Sequence, residues 1–120
     1  MSDIDDQERR EIEKRLKESV SELHKLAPML GHAKQVKEFS SDQRKNVLAA
    51  VQMPYIQRGE SVAGSETLAR ANPVYTEKLA ALAKDYEDAC AIQAKWDATM
   101  ARYEAARSLL SMVKETMHLV

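Results

Sequence analysis

After Pro73 the chain contains no further proline and no glycine, and from there to about His118 it reads as one helix. This breaker-free run constrains the fold more than any other feature. At 1.5 Å per residue, roughly 46 helical residues span about 69 Å. A compact domain of this length is only ~25–30 Å across. Such a rod has to pack along a partner, either the chain's own N-terminal helices or a second copy. The sequence therefore predicts an all-α, elongated hairpin or bundle with one long, coiled-coil-like C-terminal helix and shorter N-terminal helices.

The long helix carries a stripe with alternating four- and three-residue spacing: Tyr75, Leu79, Leu82, Tyr86, Ala89, Gln93, Trp96, Met100, Tyr103, Arg107, Leu110, Lys114 and Met117. That spacing is the seam of a left-handed coiled coil. Its larger apolar members, Tyr75, Leu79, Leu82, Tyr86, Trp96, Met100, Tyr103 and Leu110, are the candidate packing or oligomer interface. Gln93, Arg107 and Lys114 fit a seam poorly, while Leu109, Val113 and Leu119 lie beside it. This mixture suits a hairpin or small bundle better than a two-stranded zipper. Thirteen alanines between Ala63 and Ala106, with one Phe and one Trp in the chain, imply thin helix-on-helix packing.

Upstream, residues 1–59 divide into three expected helices of about 3–26, 28–39 and 41–58. Ser2 or Asp3 caps the first, and Asp5, Asp6 and Glu8 meet the positive end of its dipole. Its apolar positions are Ile12, Leu16, Val20, Leu23, Leu26 and Leu30. Ala27-Pro28 ends or kinks it, since proline disfavours helical geometry in the preceding residue. Gly31 weakens the second helix. Ser40 and Gln43 have capping-box spacing and start the third, which is kinked at Pro54 and closed by Gly59. Residues 60–72 form a turn and a short helix that Ser65 caps and that runs through Ala71. Asn72 as N-cap with Pro73 at the first helical position starts the long helix, residues 73–119. Together these elements form one structural unit.

Eighteen basic and nineteen acidic residues leave a net charge of −1. Neither the basic excess of a duplex-binding domain nor the acidic excess of a DNA mimic is present. Arg9, Arg10, Lys14, Arg15 and Lys17, with Arg44 and Lys45 further on, are the candidate phosphate or partner contacts. Neighbouring carboxylates, Glu8, Glu11, Glu13 and Glu18 among them, cancel much of that field. The tyrosines and Trp96 could stack on bases, but four of them fall on the seam, so packing is the better reading.

His24, His32 and His118 lack metal-ligand spacing. Cys90, single and beside the seam, reads as a small packed hydrophobe and as a sign of a reducing compartment. Gly59 and Gly64 are not followed by the Lys-Ser/Thr of a phosphate loop, and the stretch between them reads as a linker. Acidic and basic residues such as Lys84, Asp85, Glu87 and Asp88 sit at solvated helical spacing. The sequence therefore predicts no enzyme, no cofactor and no metal. The acidic N-terminus has no apolar run, so no signal peptide is expected. No stretch approaches the ~20 apolar residues of a membrane span.

Ser41-Asp42-Gln43-Arg44-Lys45-Asn46-Val47-Leu48-Ala49 and Glu66-Thr67-Leu68-Ala69-Arg70-Ala71-Asn72-Pro73-Val74-Tyr75 resemble a family of small helical accessory proteins of tailed bacteriophages. Tyr103 to Leu109 and Lys114 to Leu119 are similar too, so the resemblance covers roughly residues 41–119. It implies an early-region protein, often encoded near recombination genes, in the cytoplasm of an infected bacterium, and it transfers no catalytic residue. The expected function is protein binding, as adaptor or as inhibitor of a host defence complex, with another host or phage protein as partner and a homodimer as the working form. The alternative is a single-stranded nucleic-acid-binding factor in phage recombination. A virion component is a third reading.

Overall fold

The computed structural model describes the backbone of residues 3–119 and the side chains of residues 6–116. Ser2 lies outside the described residues, and so do the side chains of Asp3, Asp5, Met117 and His118. The protein is all-α. Among the described residues the helices are α1 (Asp3–Gln57), α2 (Val62–Ala71) and α3 (Pro73–Leu119). α3 runs unbroken, as the absence of breakers requires. Two compact units divide the chain. One comprises Met1–Gly31 with Ile92–Val120, and the other comprises His32–Ala91. In each, a stretch of α1 packs antiparallel along a stretch of α3.

The three N-terminal helices expected from the sequence are a single helix, α1. Pro28 and Pro54 both sit inside it and both are exposed, so their rings face solvent rather than the packed seam. Leu26, Leu30 and Ala33 are buried on either side of Pro28 and hold the helix across it. Burial of an apolar face overrides the local penalty of one missing N–H. Ser40 is likewise no cap. Its hydroxyl donates back to the Lys37 carbonyl at 3.1 Å, a common use of serine inside a helix.

The end of α1 is closed by hydrogen bonds from Gly59 N–H to Ile56 O, 3.0 Å, and from Glu60 N–H to Tyr55 O, 3.1 Å. These are the paired bonds of a Schellman motif, which needs a left-handed residue. Gly59 supplies it with φ 98°. The N-cap of α2 is Ser61, not Ser65. Its hydroxyl accepts from Gly64 N–H at 3.0 Å. The supposed linker therefore contains the first residues of a helix. Ser65 is fully buried, donating to Val62 O at 2.8 Å and accepting from Gln52 Nε2 at 2.8 Å. On the surface of α2, Arg70 donates to Glu66 at 2.9 Å, and this bond together with the Glu66 charge raises the Arg70 pKa.

Asn72 holds the corner between α2 and α3. Its Oδ1 accepts from Val74 N–H at 2.9 Å, which caps α3, and its Nδ2 donates to the Tyr55 hydroxyl of α1 at 3.1 Å. Asn before Pro at a helix start thus has the expected role, and the same side chain ties the turn to α1.

The core is thin. Buried apolar residues are Ile12, Leu26, Leu30, Ala33, Val51, Ala69, Ala89 and Ala106, half of them alanine. On α1 the seam runs through Ile12, Leu16, Ser19, Leu23, Leu26, Leu30 and Ala33, at spacings of four and three. Ser19 takes the position expected of Val20, which is exposed. The Ser19 hydroxyl is satisfied by the Arg15 carbonyl at 2.9 Å.

The α3 seam follows the expected stripe only as far as Ala89. Its next members are Ile92, Trp96, Thr99, Tyr103, Ala106, Leu110 and Val113. Two three-residue steps follow each other at Ala89 and the alternation is reversed from there, so Gln93, Met100, Arg107 and Lys114 give way to Ile92, Thr99, Ala106 and Val113, while Trp96, Tyr103 and Leu110 stay. Such a stammer overwinds a coiled coil locally, and it falls where the two units meet in sequence. Thr99, 2% exposed, donates to Lys95 O at 2.8 Å, so its burial leaves no polar group unpaired. Gln93, only half-buried, instead donates to Asp97 on its own helix at 3.0 Å.

Candidate protein-binding grooves

Each unit has an open groove between α1 and α3, and the groove follows from what the seam lacks. In the His32–Ala91 unit the α1 seam passes through Lys37, Ser40 and Arg44, none of which can fill an apolar layer. Opposite them α3 presents Leu79, Leu82, Ala83 and Tyr86. The result is a groove of about 550 Å³ lined by these four residues with Ser40 and Arg44. Tyr86 is left 41% exposed along it. Its wall is apolar and a guanidinium stands on the α1 side. Among the described residues Arg44 has no carboxylate within 4 Å.

In the other unit a groove of about 520 Å³ opens where Ser19 faces Ala105 and Ala106. Small side chains meet there and leave space. Ile12 and Leu109 extend the apolar floor, and Arg15, Glu18, Glu22 and Arg102 stand around it. The cations here are engaged within their own helices. Arg15 pairs with Glu11 at 3.7 Å, and Arg102 donates to Thr99 Oγ1 at 3.1 Å.

The basic residues of the first turns of α1 do not form one patch. Arg9 lies half-buried toward the seam, 3.8 Å from Glu13, with its Nε buried and without a hydrogen-bond acceptor. Arg15 turns toward the groove. Arg10, Lys14 and Lys17, at i, i+4 and i+7, share one exposed face. Arg44 lines the groove of the other unit, and Lys45, exposed, sits on the next face round.

Of the expected packing residues, Tyr75, Leu79, Leu82, Trp96, Met100, Tyr103 and Leu110 are half-buried and Tyr86 is exposed. Cys90 is exposed rather than packed, since the seam takes Ala89 beside it. Sequence reasoning missed the grooves. Their signal was Lys37, Ser40 and Arg44 at seam spacing on α1. Among the described residues no helix is long and apolar enough to cross a membrane. No protein-family model, curated protein or solved structure matches the chain.

Proposed function

We propose that this chain is a non-enzymatic accessory protein that acts by binding another protein. In this reading it works as a homodimer in the cytoplasm of a phage-infected bacterium, as an adaptor or as an inhibitor of a host defence complex. The observation that carries the binding role is the groove of the His32–Ala91 unit. An apolar wall of Leu79, Leu82, Ala83 and Tyr86 with one cation opposite suits an amphipathic helix that brings an apolar ridge and a carboxylate. Tyr and Arg are the residue types that dominate interface energetics.

The test is capture of tagged protein from infected lysate with and without nuclease, beside a Leu82→Asp, Arg44→Glu variant of unchanged helicity. A stoichiometric protein that survives nuclease and is lost with the variant supports the reading. Equal capture by both proteins refutes the groove as the site.

Direct binding of single-stranded nucleic acid is the second reading, favoured by the shared exposed face of Arg10, Lys14 and Lys17. It requires affinity that falls steeply with salt and collapses when these three residues become glutamate. Recovery of nucleic acid, with protein partners lost on digestion, would put it first.

A further inference from the structure

The groove of the His32–Ala91 unit differs from the rest of the surface in how its charges are balanced. Every other lysine and arginine of α1 has an aspartate or glutamate three or four residues away in the sequence, the spacing at which a helix neutralises its own charges. Lys37 and Arg44 have none. Their neighbours at those distances are Ala33, Lys34, Ser40, Ser41, Val47 and Leu48. Among the described residues neither has a carboxylate within 4 Å, on α3 or elsewhere. The two cations of α1 that lack a carboxylate at helical spacing are thus the two that stand in its seam, Arg44 lining the groove and Lys37 one turn beyond Ser40.

Geometry narrows what could neutralise them. They are seven residues apart, which is two turns or ~10.5 Å along the helix. Ser40 lies between them with its hydroxyl engaged by the Lys37 carbonyl at 3.1 Å. Across the groove Leu79, Leu82 and Tyr86 follow each other at steps of three and four, a ridge against which a further helix can pack. Both walls are helices whose backbone groups bond internally, so the groove has no open edge for an extended strand. An occupant has to satisfy its own backbone against an apolar wall, and a helix does so.

We propose that the groove takes an acidic amphipathic helix whose two carboxylates, seven residues apart, border a ridge of aliphatic side chains. The ridge packs on Leu79, Leu82 and Tyr86, and the carboxylates meet Lys37 and Arg44. This rests on the groove reading given above and names the charge pattern of the partner. In a helix with apolar heptad positions a and d, successive g residues are seven apart and flank the apolar stripe, where charged residues set partner choice. The spacing of Lys37 and Arg44 matches that period, and a helix with a basic flank is repelled. A wall of two leucines, an alanine and a single tyrosine suits aliphatic side chains better than a run of stacked bases.

The test uses 16-residue helical peptides, stapled on the polar face and fluorescein-labelled, with leucine at a and d and glutamate at two successive g positions. Binding is followed by anisotropy, with circular dichroism to confirm equal helicity of the protein variants. The glutamate peptide binds the wild type, and glutamine in both g positions weakens it about tenfold. Lys37→Glu with Arg44→Glu weakens the glutamate peptide about 100-fold and gives preference to the same peptide with lysine at g. Equal binding of the glutamate and glutamine peptides, with binding still lost in Leu82→Asp, overturns the charge pattern and keeps the groove. Binding indifferent to Leu82→Asp, or no binding of any peptide, overturns the helix in this groove. Oligo-dT that displaces the peptide and is itself lost with Lys37→Glu and Arg44→Glu assigns the two cations to phosphate and overturns the proposal.

Discussion

Replacing Pro28 by alanine raises the stability of this protein if α1 is continuous, and lowers it if the chain breaks there. In the continuous helix Pro28 offers no N–H to the His24 carbonyl, and its ring presses on that carbonyl. An interior proline costs about 3 kcal/mol relative to alanine. Alanine also loosens the unfolded chain, which offsets about 0.4–1 kcal/mol. Pro28 is exposed, so the substitution forfeits no core contact. The net gain is about 2 kcal/mol, which for a chain of this length raises the Tm by about 6–10 °C. Gly31→Ala, one turn on, adds about 1 kcal/mol. An added Cβ at Gly31 meets nothing within 4 Å. Thermal melts followed at 222 nm measure both. A chain with an extended Ala27-Pro28 turn instead loses about 0.4–1 kcal/mol with Pro28→Ala, because the proline then pre-forms the turn. An unchanged or lowered Tm refutes the continuous helix and restores a break at Pro28.

Three further substitutions probe the corner and the seam. Ser65→Ala removes the hydroxyl shared by Gln52 and the Val62 carbonyl and costs about 1–2 kcal/mol; a double-mutant cycle with Gln52→Ala in urea gives a coupling of about 1 kcal/mol, and zero coupling rejects the bond. Asn72→Ala loses both the α3 cap and the Tyr55 contact, about 2 kcal/mol by denaturant titration, whereas Asn72→Ser keeps the cap and recovers about half. Trp96→Ala costs about 2–3 kcal/mol, below the 3–5 of a fully buried aromatic, because Trp96 is only half-buried; a neutral result removes Trp96 from the seam.

The ends of elements were more legible in the sequence than their interiors. Gly59 and the Asn72-Pro73 pair act through geometry that one or two residues determine, so local chemistry decides them. Pro28 and the Ser40–Gln43 spacing are local signals as well, yet both were overridden. The difference lies in what surrounds each. Gly59 sits where apolar spacing stops, whereas Pro28 and Ser40 sit inside the α1 seam, where packing against α3 continues on both sides. A breaker signal within an uninterrupted apolar stripe competes with tertiary burial, and one proline on the solvent side does not outweigh it. Ser61 and Ser65 teach the same lesson at smaller scale. Both serines could accept from a following N–H, and only the reach of Gln52 from α1 decides which of them is buried.

The grooves were illegible for a related reason. A three-four repeat on α3 identifies which residues share a stripe, but two adjacent stripes satisfy it almost equally, and the choice belongs to the helix opposite. On α3 the warning was chemical, because Gln93, Arg107 and Lys114 fall in a seam that continues the repeat unchanged. Reversing the three-four alternation after Ala89 removes all three at once and brings in Ile92, Ala106 and Val113, with Thr99 in place of Met100. That exchange lowers the cost of buried polar groups, but the seam it creates is lined by Ala106 and Thr99 and faces Ser19. On α1 the polar residues Lys37, Ser40 and Arg44 stay in register, and no shift rescues them. Small residues meeting in one unit and polar residues left in the seam of the other are thus two outcomes of one conflict between heptad spacing and side-chain chemistry. Each leaves space between α1 and α3 that the chain does not fill, and in the His32–Ala91 unit that space has an apolar wall, a tyrosine and a cation along it.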